Sequence, residues 1–260
     1  MQLSGRVALV TGAGSGIGRA AAIRLAQEGA RVAAVGRTAG QLNDTVSTII
    51  GSGGEAIALV ADVSQPDQMQ QAVDEMAARW GRIDIVFANA GINGVWAPIE
   101  EITAEEWDQT HTINLKGTFL TLKYTVPYLK RQGGTVVVCS SVNGTRIFSN
   151  AGGSCYAASK AGQVALAKMA ALELARFGIR VNVICPGAIK TEIRDNTFSR
   201  NREKIRSHVT YADGSIPLTG GKPGTAEQVA ELVLFLASAA SSHITGTEMW
   251  IDGGESLLVG

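Results

Sequence analysis

"RVALVTGAGSGIGRA", residues 6–20, passes from an apolar run straight into a glycine-rich turn and then into small and charged residues. Val7 to Val10 lack the polar alternation of a strand exposed on one side, so they read as a parallel strand covered on both faces. The glycines at 12, 16 and 18 allow a tight turn and a close backbone approach to an anion. A helix starting near Ser15 aims its free N–H groups and positive dipole end at the same point. Thr11, Gly12, Ser15, Gly16, Ile17 and Gly18 are therefore candidate contacts to a dinucleotide pyrophosphate. The spacing is G-x-x-x-G-x-G. A formal G-x-G-x-x-A match from Gly16 would put the turn inside the helix, which rules it out as the phosphate site.

Outward from this turn the pattern repeats. "RVAAV" (31–35), "EAIALV" (55–60), "IDIVFA" (83–88), "TVVVCS" (135–140), "IRVNVIC" (179–185) and "EMWID" (248–252) are further strand candidates, separated by helical stretches. Thr103 with Glu106, and Thr225 with Gln228, read as capping boxes that start two of the helices. The alternation predicts one α/β domain over 1–260: a doubly wound Rossmann fold with a seven-stranded parallel sheet and helices on both faces. No linker, repeat or low-complexity tract divides it. The long irregular stretch 191–224 is expected to be a substrate lid.

Composition excludes several functions. Lysine plus arginine number 23 and aspartate plus glutamate 23, for a net charge of zero, which offers no field for nucleic acid or an anionic membrane. No apolar run approaches the ~20 residues of a membrane span, and the amino terminus does not read as a signal peptide, so the expectation is a soluble cytoplasmic protein. Cys139, Cys155 and Cys185 lack metal or disulfide spacing, and His111, His208 and His243 are scattered, so no metal site is expected. Cys139 and Cys185 read as packing residues. Cys155 stands out only by its place beside Tyr156.

The polar motifs fall where strands end. Thr11 closes the first strand, Asp62 the third, Asn89-Ala90-Gly91 the fourth, Ser140 and Ser141 the fifth, and Pro186-Gly187 the sixth. The carboxyl edge of an open parallel sheet is where ligands bind, so these segments converge on one crevice. Each also has an ordinary reading; Asp62, for example, could cap the helix beginning near Pro66. "SCYAASK" (154–160) opens a helix in which Tyr156 and Lys160 share a face. An ammonium close to a phenol, whose pKa is ordinarily about 10, is expected to lower it and make a tunable acid–base.

T-G-x-x-x-G-x-G at 11–18, N-A-G at 89–91, Asn114 in "TINLKG", Ser141 in "CSSVNG", Y-x-x-x-K at 156–160, "PGAIKT" at 186–191 and "DGG" at 252–254 occur in that order along the whole chain. Together they resemble the short-chain dehydrogenase/reductase family. The turn reads "ANAG" where the family often has two asparagines, and the stretch from Ser141 to Tyr156 is slightly long. The resemblance implies hydride exchange between a nicotinamide cofactor and a carbonyl or secondary-alcohol substrate. It implies that Ser141 steadies the substrate oxygen, Tyr156 is the general acid/base, and Lys160 binds the nicotinamide ribose and tunes Tyr156. Asn114 would hold a water linking Lys160 to solvent. Pro186, Gly187, Ile189 and Thr191 join the cofactor contacts, and a homotetramer is implied.

The second strand ends in Gly36 and Arg37, where an NAD site would carry a carboxylate for the ribose; an arginine suits a 2′-phosphate. NADP(H) is favoured and NAD(H) remains open, with Asp62 and Val63 at the adenine. In the lid, Arg194, Arg200, Arg202, Lys204 and Arg206 outnumber Asp195 and Glu203, either to attract an anionic substrate or as a solvated face. Trp96, Phe148 and Tyr211 suggest an apolar pocket side. The expectation is an NADP-preferring carbonyl reductase or alcohol dehydrogenase; the alternatives are a 3-oxoacyl-carrier-protein reductase and a non-catalytic nucleotide-binding regulator.

Overall fold

The computed structural model describes residues 1–205, 211–212 and 214–259, with Arg194 and Asp195 described by backbone alone; Arg206 and His208 lie outside the described residues. The sheet strands are β1 (Val7–Thr11), β2 (Arg31–Gly36), β3 (Ala56–Val60), β4 (Ile85–Ala88), β6 (Gly134–Cys139), β7 (Ile179–Pro186) and β9 (Glu248–Ile251). They pair in the order β3-β2-β1-β4-β6-β7-β9, all parallel. The order reverses between β1 and β4, which opens a crevice at their carboxyl ends. Every strand candidate from the sequence is in the sheet, with ends shifted by at most a few residues.

Alternate residues of each strand enter different cores. Val7 and Leu9 pack on the face covered by α3 (Pro66–Trp80), α5 (Gly117–Leu129) and α6 (Ser154–Ala175). Ala8 and Val10 pack on the face covered by α1 (Gly16–Gln27), α2 (Ala39–Gly51) and α7 (Ala226–Ala237). This double burial is the reason the strands read as continuous apolar runs. Both capping boxes form: Thr103 opens α4 (Ala104–His111) with Glu106, and Thr225 opens α7 with Gln228. Asp62 does not cap α3. Gln65 is its N-cap and Pro66 its first residue, while the Asp62 carboxylate accepts from the amide and hydroxyl of Ser64 at 2.9 and 2.7 Å.

Two short strands escaped the sequence reading. β5 (Gly94–Trp96) and β8 (Thr197–Ser199) pair in parallel as a separate small sheet beside the crevice. At three residues each, they are too short to show a period. α8 (Glu255–Leu258) follows β9. No helix among the described residues is long and apolar enough to cross a membrane.

Candidate active site

The turn between β1 and α1 is packed against its neighbour so closely that glycine is required. Gly12 has φ +66°, and a Cβ on Gly18 would lie 2.6 Å from Asn89 Nδ2 and 2.7 Å from the Gly12 carbonyl carbon. Thr11 stitches the turn to the end of β4: its hydroxyl accepts from the amides of Asn89 and Ala90 at 3.0 and 3.1 Å, and its carbonyl receives Asn89 Nδ2. Ser15 is the N-cap of α1, with no side-chain cap of its own.

A cavity of about 410 Å³ runs along this edge. Of the expected cofactor residues, Gly12, Ser15, Gly16, Ile17, Gly36, Arg37, Asp62, Val63, Asn89, Ala90, Gly91 and Thr191 line it. Thr11 and Gly18 do not; they lie beneath the turn and support it. Pro186, Gly187, Ile189, Tyr156 and Lys160 also stand outside the lining. The Gly187 amide donates to Ile251 O at 3.1 Å, and Glu255 on α8 accepts from the Ala188 amide at 2.9 Å, which ties that loop to the carboxyl-terminal elements. Thr38, Gln41, Leu42, Glu192, Ile193 and Asn196, which gave no signal in the sequence, also line the cavity, as do Gly14, Ala61, Ile92 and Ile113. Among the described residues no carboxylate pairs with Arg37, which is exposed at the cavity rim.

At the far end of the edge Ser141, Tyr156, Lys160 and Asn114 come together. Tyr156 and Lys160 are both buried on α6, with Lys160 Nζ 5.5 Å from the phenol ring. The Tyr156 hydroxyl lies beside Ser141, whose Oγ accepts from the Asn143 amide at 3.1 Å. The expected lowering of the phenol pKa is not found. Burial pushes Tyr156 well above its usual value, against a smaller lowering by the Ser141 hydroxyl. Lys160 donates to the Cys139 carbonyl at 2.8 Å, and burial lowers its own pKa. The phenol is therefore held in its protonated form.

Asn114 sits in a π-helical turn, Thr112–Lys116, between α4 and α5. Single π turns of this kind arise within helices, often at functional sites. Its amide accepts from the Ile92 amide at 2.8 Å and donates to Ile92 O and Ser159 Oγ at 2.9 and 3.0 Å. Its carbonyl receives Thr118 Oγ1 and Gln163 Nε2, both at 2.8 Å. Through these partners the side chain clamps the backbone behind Gly91. The acceptor left over is Gln163 Oε1, buried without a partner. Gln163 and Ser159 gave no sequence signal because polar residues on an otherwise small-residue helix read as surface.

The basic stretch after β7 is largely committed to partners. Arg200 makes a bidentate ion pair with Glu106 at 2.9 Å and also donates to the Glu101 carbonyl; Lys204 pairs with Glu101 at 3.0 Å. Both side chains remain partly open to solvent, so they form an ion-paired, solvated face. Phe148 is exposed, whereas Trp96 is buried against Tyr156, ring centroids 6.3 Å apart. Cys139, Cys155 and Cys185 are all buried, and burial pushes each thiol up, Cys185 to about 12. Cys155 does not face the crevice as a reactive group.

A doubly wound sheet with a glycine cradle and an acid–base cluster along one edge places the protein among α/β oxidoreductases. Residues 12–256 match the family model described as Enoyl-(Acyl carrier protein) reductase. The chain is 40% identical over 255 residues to the 3-oxoacyl-[acyl-carrier-protein] reductase FabG of Thermotoga maritima, covering 98% of this chain and 99% of that protein. It is likewise 40% identical to the levodione reductase of Leifsonia aquatica, covering 96% and 94%. A solved 3-ketoacyl-ACP reductase from Sinorhizobium meliloti superposes with a TM-score of 0.93 at 52% identity, covering 97% and 99%. The chain belongs to the short-chain dehydrogenase/reductase family, and membership implies a nicotinamide cofactor.

Proposed function

We propose that the protein is an NADP(H)-preferring carbonyl reductase or secondary-alcohol dehydrogenase with Tyr156 as general acid/base. The observation that carries this reading is a phenol kept protonated beside the Ser141 hydroxyl, at the same sheet edge as the glycine cradle. The cradle fits a dinucleotide: a helix N-terminus at Ser15 and Gly16, a close-packed turn, and an arginine at the rim without a carboxylate partner. Gly12 to Ile17 would hold the pyrophosphate, Asp62 and Val63 the adenine, Arg37 a 2′-phosphate, and Lys160 the nicotinamide ribose. When bound, the nicotinamide supplies or takes the hydride.

The chain's own groups manage the proton. In carbonyl reduction, Tyr156 gives its phenolic proton to the substrate oxygen while Ser141 donates a hydrogen bond to the charge developing there. In alcohol oxidation, the phenolate takes the proton back. Asn114 and Gln163 hold the π turn and the Ile92 backbone in register with α6. Residues 1–260 act as one domain with the stretch 191–224 as substrate lid. The exposed Phe119, Met169 and Leu172 on α5 and α6 support burial against further copies in a homotetramer.

A second reading, 3-oxoacyl-carrier-protein reductase, is favoured by the names of the Thermotoga and Sinorhizobium relatives. Absorbance of the reduced nicotinamide, followed with NADPH and NADH against ketones and a 3-oxoacyl thioester, separates the two. Tyr156→Phe should reduce turnover by roughly a hundred- to ten-thousandfold and leave the NADPH dissociation constant within about twofold. Near-normal turnover by this variant would remove Tyr156 from the mechanism.

A further inference from the structure

Trp96 is held in place from every side. Its peptide lies between β8 and the loop before α6: Arg200 N donates to Trp96 O at 3.0 Å, and the next residue, Ala97, donates to Gly152 O at 3.2 Å. The indole nitrogen donates to Asn93 O at 3.3 Å, and Asn93 in turn donates to Thr197 Oγ1 at 2.7 Å. The Arg202 guanidinium lies over the indole, 4.7 Å from its centroid, and its Nε donates to Ala151 O. A Cβ on Gly153 would stand 3.2 Å from indole Cη2. The missing side chain of Gly153 is therefore the space into which this ring is fitted.

The indole also lies against Tyr156, with ring centroids 6.3 Å apart and the two planes inclined at 35°. A carbonyl whose oxygen reaches the Tyr156 hydroxyl would come to lie close to this indole. Trp96 is 8% exposed, Tyr156 7% and Ser141 6%, so little free volume separates them.

We infer that Trp96 is the specificity-determining wall of the substrate pocket, and that it restricts the enzyme to compact ketones and secondary alcohols. Arg202 and the Arg200–Trp96 backbone contact keep the wall from swinging aside, so bulk is excluded by a rigid group rather than a mobile one. This inference rests on the carbonyl-reductase reading above.

The test compares kcat/KM for cyclohexanone and 4-phenylcyclohexanone, which share a reacting centre and differ in bulk, in the full chain with NADPH. The wild type should prefer cyclohexanone, and Trp96→Ala should raise the relative rate of the phenyl substrate by roughly tenfold or more. Trp96→Phe, which keeps an aromatic ring on Gly153, should fall between them, and it serves as the test if the alanine variant does not fold. A substrate ratio unchanged in both variants, with rates falling equally for the two ketones, overturns the inference and leaves Trp96 a packing residue. A wild type that turns over both ketones equally also overturns it, while the reductase reading survives. A wild type that binds NADPH and reduces neither ketone nor any other carbonyl takes down both.

Discussion

On one side of the crevice, residues 11–18 and 89–91 present backbone: a glycine turn, a helix N-terminus, and a loop stitched to the turn through Thr11 and Asn89. On the other side, residues 94–97 and 197–204 present side chains: an indole against Tyr156, a guanidinium over the indole, and ion pairs to Glu101 and Glu106. The backbone side has almost no freedom, because peptide groups cannot move without moving strands. The other side hangs on two three-residue strands and side-chain contacts. A binding surface common to many substrates can be built the first way; discrimination between substrates is built the second way.

The backbone side should break abruptly. Gly18→Ala places a methyl group against the Gly12 carbonyl carbon and Asn89 Nδ2, neither of which has room to move. Overpacking of this kind costs on the order of 1–3 kcal/mol in stability, and the distorted turn should lose NADPH affinity by about a hundredfold or more. Fluorescence titration with NADPH and a thermal melt report both losses. Wild-type affinity in this variant would show that the turn is softer than its packing.

Arg37→Ala sharpens the comparison, since it removes a side chain from the backbone side. A well-formed charge-assisted contact to phosphate contributes about 1.5–3 kcal/mol, so NADPH binding should weaken by roughly ten- to a hundredfold while NADH binding is unchanged. Dissociation constants for both cofactors decide it; equal weakening of the two would mean that Arg37 does not read the phosphate.

The smallest effect belongs to the far side. Arg200→Gln loses the exposed bidentate pair with Glu106 but keeps the Arg200 backbone contact to Trp96, so KM should rise by about two- to fivefold with little change in kcat. The Glu106 carboxyl is held below its usual range, first by Arg200 and then by the Thr103 amide. A lowered carboxyl makes its contribution above the ordinary carboxylate pKa and loses it as pH falls through the lowered one. The gap in KM between variant and wild type should therefore close below about pH 4. A gap constant with pH would assign the effect to something other than this pair.

The same contrast explains what could be read in the amino-acid sequence. Backbone binding leaves glycines at fixed spacing, so Gly12, Gly16 and Gly18 and the ends of the buried strands were legible, as were Tyr156 and Lys160 one helical turn apart. Side-chain walls leave no such mark. Nothing in "GVW" or "TFS" announces a strand, and Arg200 and Glu106, which close on each other, are separated by almost a hundred residues. The direction of the Tyr156 shift was also hidden, because spacing places Lys160 nearby but says nothing of how deeply both are covered. Asn114 was found, whereas its partners Ser159 and Gln163 were not, since their importance lies in contacts across helices.

The three thiols bear on how the protein ages. Cys139 and Cys185 lie in the adjacent strands β6 and β7 and Cys155 in the first turn of α6, all buried and each pushed toward its unreactive thiol form. Oxidants and alkylating agents meet a sulfur only after the chain has opened, so chemical damage at cysteine is gated by the fold itself rather than by thiol chemistry. Because Cys155 adjoins Tyr156 and the strand cysteines sit in the sheet, the order in which the three are attacked would distinguish a frayed α6 from a molecule that has come apart.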